Sequence, residues 1–249
     1  MPSINQITNI AIQRLQEFVP PEGYFVAFSG GKDSVVIKHI CDLALVKYDA
    51  HYNVIGIDPP PVVKFIRDHH KDVIFDYVKD PPFLRELERR GFPMRRNRWC
   101  CQVYKEAGGS FRTVVTGVRW AESKKRKNSR RMVEHCMQDK SKYYVNPIID
   151  WTNDQVWKFI YKHSLPYCSM YNYGYKRLGC VFCPQKSFRQ RMQDVEIFPK
   201  YAASFLKAFC NLHARLVAKG SSSVDRWASG EDMFWWWLSG EEKYIIREE

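Results

Sequence analysis

Two groups of residues carry chemistry. The first is Ser29-Gly30-Gly31-Lys32-Asp33-Ser34, where a short apolar run breaks at two glycines and resumes with helical spacing. Amides at such a turn point at one spot and the following helix N-terminus adds partial positive charge, so a phosphate or pyrophosphate fits there. Ser29 and Ser34 offer hydroxyls and Lys32 adds charge. The spacing is neither that of Walker A nor that of the dinucleotide fingerprint. The second group is Cys100-Cys101 with Cys180-Val181-Phe182-Cys183 far downstream. Four thiolates from two segments can hold a metal or an iron-sulfur cluster, and Arg98, Lys105, Arg177 and Lys186 nearby in sequence favour thiolates. Adjacent cysteines sit awkwardly on one zinc, whereas a [4Fe-4S] cubane offers each sulfur its own iron corner. The residues leave the cluster, zinc and merely buried thiols open.

The elements that must position these groups follow from periodicity. Ile4 through Phe18 has apolar residues at helical spacing and stops at Pro20 and Pro21. Tyr24–Phe28, Tyr52–Ile57, Val73–Tyr77 and Thr113–Thr116 read as strands, and Val62 to about His70 as a helix. Thr152 with Gln155 forms a capping box that starts a helix running to about His163. Strands alternating with helices predict an α/β fold, a doubly wound and mostly parallel sheet with its ligand crevice at the strands' carboxyl ends. Helices are expected from about Pro199 to Lys219 and from Glu231 to Leu238. The expected division is a nucleotide-binding domain with the cysteine site over 1–198 and a helical extension over 199–249.

Composition narrows the partners. The 249 residues carry 39 Lys plus Arg against 27 Asp plus Glu, a net charge of +12 that points to an anionic partner. No apolar run approaches the ~20 residues a membrane span requires. The first residues lack a secretory pattern, so a cytoplasmic location, reduced cysteines and no membrane partner are expected. Arg119, Lys124, Lys125, Arg126, Lys127, Arg130 and Arg131 form a basic stretch that could reach a nucleotide or track a nucleic-acid backbone, with Tyr171, Tyr173 and Tyr175 as stacking surfaces. Trp235, Trp236 and Trp237 read as a docking core on the last helix.

The string Ser29–Ser34 resembles the PP-loop of the ATP pyrophosphatase superfamily. Beyond it, Gly117-Val118-Arg119-Trp120-Ala121-Glu122-Ser123, Asn146-Pro147-Ile148-Ile149-Asp150-Trp151 and the approach from Leu165 to Cys180 are similar to the phosphoadenosine phosphosulfate reductase family. The resemblance implies an adenine nucleotide alpha hydrolase-like fold and ATP or an adenylyl nucleotide with Mg²⁺. It implies binding roles for Ala27, Phe28, Ser29, Gly30, Gly31, Ser34, Asp58 and Gly117, and catalytic roles for Lys32, Asp33 and Arg119. It also implies a [4Fe-4S] cluster on Cys100, Cys101, Cys180 and Cys183.

Two departures from the reductases bear on the reaction. The loop is complete, as in the ATP-splitting branch, and no flexible tail with a nucleophilic cysteine is visible. Cys210 shares helical spacing with Tyr201, Phe205, Phe209 and Leu212, so it is expected to be helical, more than half buried and structural. The implied function is therefore ATP pyrophosphatase-type activation coupled to sulfur transfer, with a sulfur donor or partner protein and a nucleic acid as acceptor. Two rivals remain: a sulfonucleotide reductase releasing sulfite, and a nucleic-acid-binding protein with structural zinc.

Overall fold

The computed structural model describes residues 2–78, 81–137 and 139–240. In chain order its elements are α1 (Ile4–Glu17), β1 (Tyr24–Ala27), α2 (Lys32–Leu43), β2 (Tyr48–Val54), α3 (Pro60–His69), β3 (Ile74–Tyr77), α4 (Phe83–Arg90), β4 (Thr113–Val115), α5 (Lys124–Ser129), β5 (Val133–His135), β6 (Tyr143–Val145), α6 (Asn153–Lys162), α7 (Phe188–Ile197), α8 (Pro199–Ala218) and α9 (Gly230–Ser239). They form two compact units: Met1–Val54 with Pro60–Tyr77 and Glu106–Leu178, and Ile55–Pro59 with Val78–Lys105 and Gly179–Glu249. The boundary expected at 198/199 falls inside the second unit.

The first unit holds a six-stranded sheet of order β3-β2-β1-β4-β6-β5. All neighbours pair in parallel except β5 with β6. The chain builds outward from β1 to β3 and then returns to β4 on the other side of β1. That reversal is the switch point at which open α/β sheets form their ligand crevice. β1 is buried from Tyr24 to Val26, and Tyr24 donates its hydroxyl hydrogen to the Leu15 carbonyl at 2.8 Å, which anchors α1. Helix α6 begins at the expected capping box, with Gln155 N–H donating to Thr152 Oγ1 at 3.2 Å and Thr152 N–H to Gln155 Oε1 at 2.7 Å. The strand expected over Tyr52–Ile57 starts earlier, at Tyr48, and ends at Val54. Strands β5 and β6 were not anticipated, because three residues each are too few for period-2 alternation to stand out.

The second unit is helical. Helix α8 packs with α4, α7 and α9, and aromatic rings fill its centre: Phe205 and Phe209 of α8 lie 5.9 and 5.2 Å from Trp237 of α9. Trp237 Nε1 donates to the Pro93 carbonyl at 2.7 Å, and the buried Arg191 donates to the Trp237 carbonyl at 2.8 Å. The tryptophan triplet divides. Trp237 is core, whereas Trp235 is 41% exposed. Among the described residues no helix is long and apolar enough to cross a membrane.

One titratable side chain in the first unit makes its fold acid-sensitive. His70 is buried against Phe28, at 4.6 Å between centroids, and Phe65, and its Nε2 has no hydrogen-bond partner among the described residues. Burial lowers its pKa to about 4, with the Lys38 charge adding to the effect. The unfolded imidazole titrates near ~6.5, so between there and pH 4 the unfolded chain binds the proton that the native site refuses. This contribution is complete above about pH 6.5, is lost as the pH falls toward 4, and is on the order of 3 kcal/mol. His39 and His163, also lowered by burial, act in the same direction. His70→Phe should therefore narrow, without abolishing, the difference between urea midpoints at pH 7 and pH 4.5. An unchanged difference refutes the assignment.

Candidate functional site

The loop after β1 turns at Gly30, whose φ of +71° lies in the left-handed region and whose missing Cβ would meet Val62 Cγ1 at 2.9 Å. Helix α2 then starts at Lys32. Ser34 Oγ donates to the Gly31 carbonyl at 2.8 Å and lies 3.3 Å from Ser29 Oγ, so the two hydroxyls close the turn. Lys32 N–H donates to the Tyr171 hydroxyl at 2.9 Å, and burial raises the pKa of that phenol and keeps it protonated. The Lys32 ammonium, on a side chain only 5% exposed, stands 3.4 Å from Asp33 Oδ2 and 5.7 Å from the Tyr171 ring centre.

Arg119 reaches this loop from the turn after β4. Its Nε donates to Asp33 Oδ1 at 2.8 Å and its Nη1 to the Trp151 carbonyl at 3.1 Å, with the side chain 3% exposed. Its backbone N–H donates to Glu122 Oε2 at 3.0 Å. Gly117 lies against Asp33, where a Cβ would come within 2.9 Å. Both Asp33 oxygens thus face cations, and this carboxylate fixes Arg119 in place. Beside the loop opens a cavity of about 810 Å³. Lys32, Asp33 and Arg119 form its charged floor, and Trp157, Tyr167 and Tyr171 form an aromatic wall.

The cysteine segments lie in the second unit. Cys101–Lys105 is a π-helical turn, a departure from regular helix that recurs at functional sites. A hydrogen bond with Cys101, burial, and the charges of Cys101, Cys180 and Cys183 all push the Cys100 thiol pKa up, so the four thiols share one neighbourhood. Burial also raises Cys180, and the Lys105 ammonium, which donates to it, offsets only part of that. Lys105 Nζ also lies 3.8 Å from Asp58 Oδ1. The turn between Cys180 and Cys183 is pinned by Phe182, a non-glycine residue at φ +56° whose ring is fully buried 5.1 Å from Phe205. Phe182 N–H donates to the buried Asp194 carboxylate at 2.9 Å. Among the described residues no three His, Cys, Asp or Glu side chains are arranged to hold a single metal ion.

The sequence-derived residues thus fall into two sets. Ala27, Phe28, Ser29, Gly30, Gly31, Lys32, Asp33, Ser34, Gly117 and Arg119 are in the first unit, around the end of β1 and the start of α2. Asp58 is in the second unit with the four cysteines, buried and paired with Lys105. Sequence reasoning missed Trp157 and Tyr167, because a tryptophan within an amphipathic helix reads as core. Of the four cations named in the sequence beside the cysteines, Lys105 is the one that donates to Cys180, and it also pairs with Asp58, a pairing the sequence did not suggest. The expectation for Cys210 is half corrected: it lies inside α8, but it is exposed. Its backbone faces Gly230, where a Cβ would sit 2.4 Å from the Cys210 Cα.

Comparison with known proteins places this arrangement. An uncharacterized protein of Methanocaldococcus jannaschii, MJ0973, is 26% identical over 203 residues, covering 76% of this chain and 48% of the relative. The chain therefore spans about half the length of that relative, and 39% of a second one from the same organism. Among solved structures, phosphoadenylyl-sulfate reductase from Candida auris in a phosphate complex is similar in fold, with a TM-score of 0.54 at 15% identity over 72% of this chain and 95% of that one. Candida glabrata FMN adenylyltransferase in complex with FMN and the ATP analog AMPCPP has a TM-score of 0.53 at 16% identity over 72% of this chain and 64% of that one. The phosphoadenosine phosphosulfate reductase domain matches residues 23–186, which take in the glycine turn, Arg119 and all four clustered cysteines; the chain belongs to that family.

Proposed function

We propose that the protein activates an acceptor with ATP and couples that activation to sulfur transfer. The observation that carries this reading is the complete Ser29–Ser34 turn at the sheet's switch point, with two nearly buried cations, Lys32 and Arg119, opening on one cavity. In the proposed reaction an acceptor oxygen bonds to the α-phosphorus of ATP and the α–β bridging oxygen leaves with pyrophosphate. A sulfur donor then attacks the activated carbon and displaces AMP. Negative charge grows on the departing pyrophosphate, and the loop amides and Lys32 stabilise it; Mg²⁺ entering with the nucleotide would supply further positive charge there. Arg119, held by Asp33, lends positive potential at a fixed place. The fold neighbours, a phosphoadenylyl-sulfate reductase and an FMN adenylyltransferase holding an ATP analog, support this substrate class.

Cys100, Cys101, Cys180 and Cys183 are the residues that would hold a [4Fe-4S] cluster. The donor set fits in kind: four soft sulfurs share a neighbourhood with the Lys105 cation. Such a cluster would supply a redox-active, sulfur-handling centre. The exposed Cys210 favours the second reading, a sulfonucleotide reductase, because a thiol open to solvent can act as a nucleophile.

Anaerobically prepared protein decides between them. Pyrophosphate release from ATP in the presence of acceptor is expected, whereas thiol-dependent sulfite release from adenylyl sulfate or its 3′-phosphorylated form, lost in Cys210→Ser, establishes the reductase instead. A Cβ at Gly31 would lie 3.4 Å from Ser29 Oγ, an ordinary contact, so Gly31→Val should fold. It should nevertheless bind ATP roughly tenfold or more weakly, because the side chain stands where amides face phosphate. Parental affinity in a folded Gly31→Val protein refutes the loop assignment.

The cysteine reading is checked separately. Absorbance near ~400 nm with about four irons per chain is expected from the parent and should be lost in Cys183→Ser. Stoichiometric zinc without iron, in protein made under iron-replete anaerobic conditions, rules the cluster out.

A further inference from the structure

The cavity beside the loop has more surface than pyrophosphate requires. Its aromatic wall is a connected set, with the Trp157 ring centre 5.1 Å from Tyr171, 5.2 Å from Tyr167 and 5.7 Å from Tyr161. Tyr161 is 63% exposed and also lines the cavity. Arg177 is a further cation in the lining. Outside, Arg126 pairs with the lining residue Glu122, and burial together with the nearby Arg177 and Arg130 charges lowers its pKa, so three guanidiniums crowd one edge. Helix α5 continues from that edge with Lys124, Lys125 and Lys127 exposed. All of these residues belong to the first unit.

We propose that this cavity receives a base of a single-stranded nucleic acid, the acceptor whose activation the preceding reading requires. The aromatic wall offers faces for stacking, which every base can use, and Lys32 and Arg119 stand where the activated group must meet ATP. The outer cations take the phosphates on either side of that base. A free mononucleotide would use only the cations within the cavity. The arginine-crowded edge and the lysines of α5 extend past its mouth, as suits a chain of phosphates.

The test uses fluorescence anisotropy of end-labelled 12-mer RNA and DNA strands with the full-length protein, from about 50 to 200 mM salt. A strand of one or both kinds should bind, with affinity falling steeply with salt. Arg177→Ala and Lys125→Ala should each reduce the slope of log affinity against log salt by about 1. Tyr161→Ala, at an exposed position, and Trp157→Leu should weaken binding about 5- to 150-fold with the slope unchanged. Saturating ATP should leave strand affinity unchanged or raise it. Failure of both strands to bind at 50 mM salt, binding indifferent to both aromatic substitutions, competition by ATP, or an unlabelled mononucleotide competing as well as the strand would each overturn the proposal. ATP binding measured on the same samples keeps the two readings apart. A protein that binds strands as described and not ATP refutes the loop assignment alone, and one that binds ATP and no strand refutes the acceptor assignment alone.

Discussion

The ion pair between Arg119 and Asp33 is the interaction on which the loop's surroundings depend. Burying a guanidinium costs several kcal/mol unless its charge and donors are met. Here the Asp33 carboxylate meets the charge and the Trp151 carbonyl takes a second N–H. The three partners come from the start of α2, the turn after β4 and the residue just before the cap of α6. One side chain therefore fixes the relative positions of the phosphate loop, the sheet's switch point and the helix that carries the aromatic wall. Gly117 is part of the same constraint, because any side chain there would push Asp33 away from Arg119.

The second unit solves a different problem: holding two cysteine segments that are distant in sequence. Its answer is an aromatic core. Phe83 of α4 stacks on Trp99, the residue preceding the first cysteine pair, at 5.5 Å, and lies 5.6 Å from Phe205. Phe182, between the second pair, reaches the same Phe205. Both cysteine segments are thus moored to one ring of α8. The left-handed backbone at Phe182 is an unfavourable conformation for a bulky residue, and it persists because ring burial and the Asp194 acceptor over-determine it.

Much of the first unit was legible because its signals are local. The strand–glycine–helix succession at Tyr24 to Leu43 and the Thr152–Gln155 box are short-range patterns that tertiary packing only confirms. Arg119 could be singled out as a loop partner only through its place in a recognisable motif, since nothing local shows that it crosses to Asp33. The aromatic wall was hidden, because Trp157 and Val156 are adjacent in one amphipathic helix and pattern alone cannot say which faces a cavity. Cys210 was misjudged for a related reason. Helical spacing gives the phase of a helix to within a residue or so, and residue 210 lies at the edge of the buried stripe formed by Phe205, Phe209 and Leu212.

The interleaving of the two units also governs the order in which the protein can be made. Residues of the first unit are all in hand once Leu178 has been synthesised, whereas the second unit still lacks everything from Gly179 onward. Until that segment emerges, α4 has no α8 to pack against and Phe83 lacks its Phe205 neighbour, and Cys100 and Cys101 lack the sulfurs of Cys180 and Cys183. A nascent chain therefore passes through a stage in which every residue of the α/β unit is present while the cysteine-bearing segment 78–105 still lacks its helical partners. Vectorial synthesis makes that stage obligatory, and it is then that a chaperone would find apolar surface to bind and an oxidant would find unprotected sulfur.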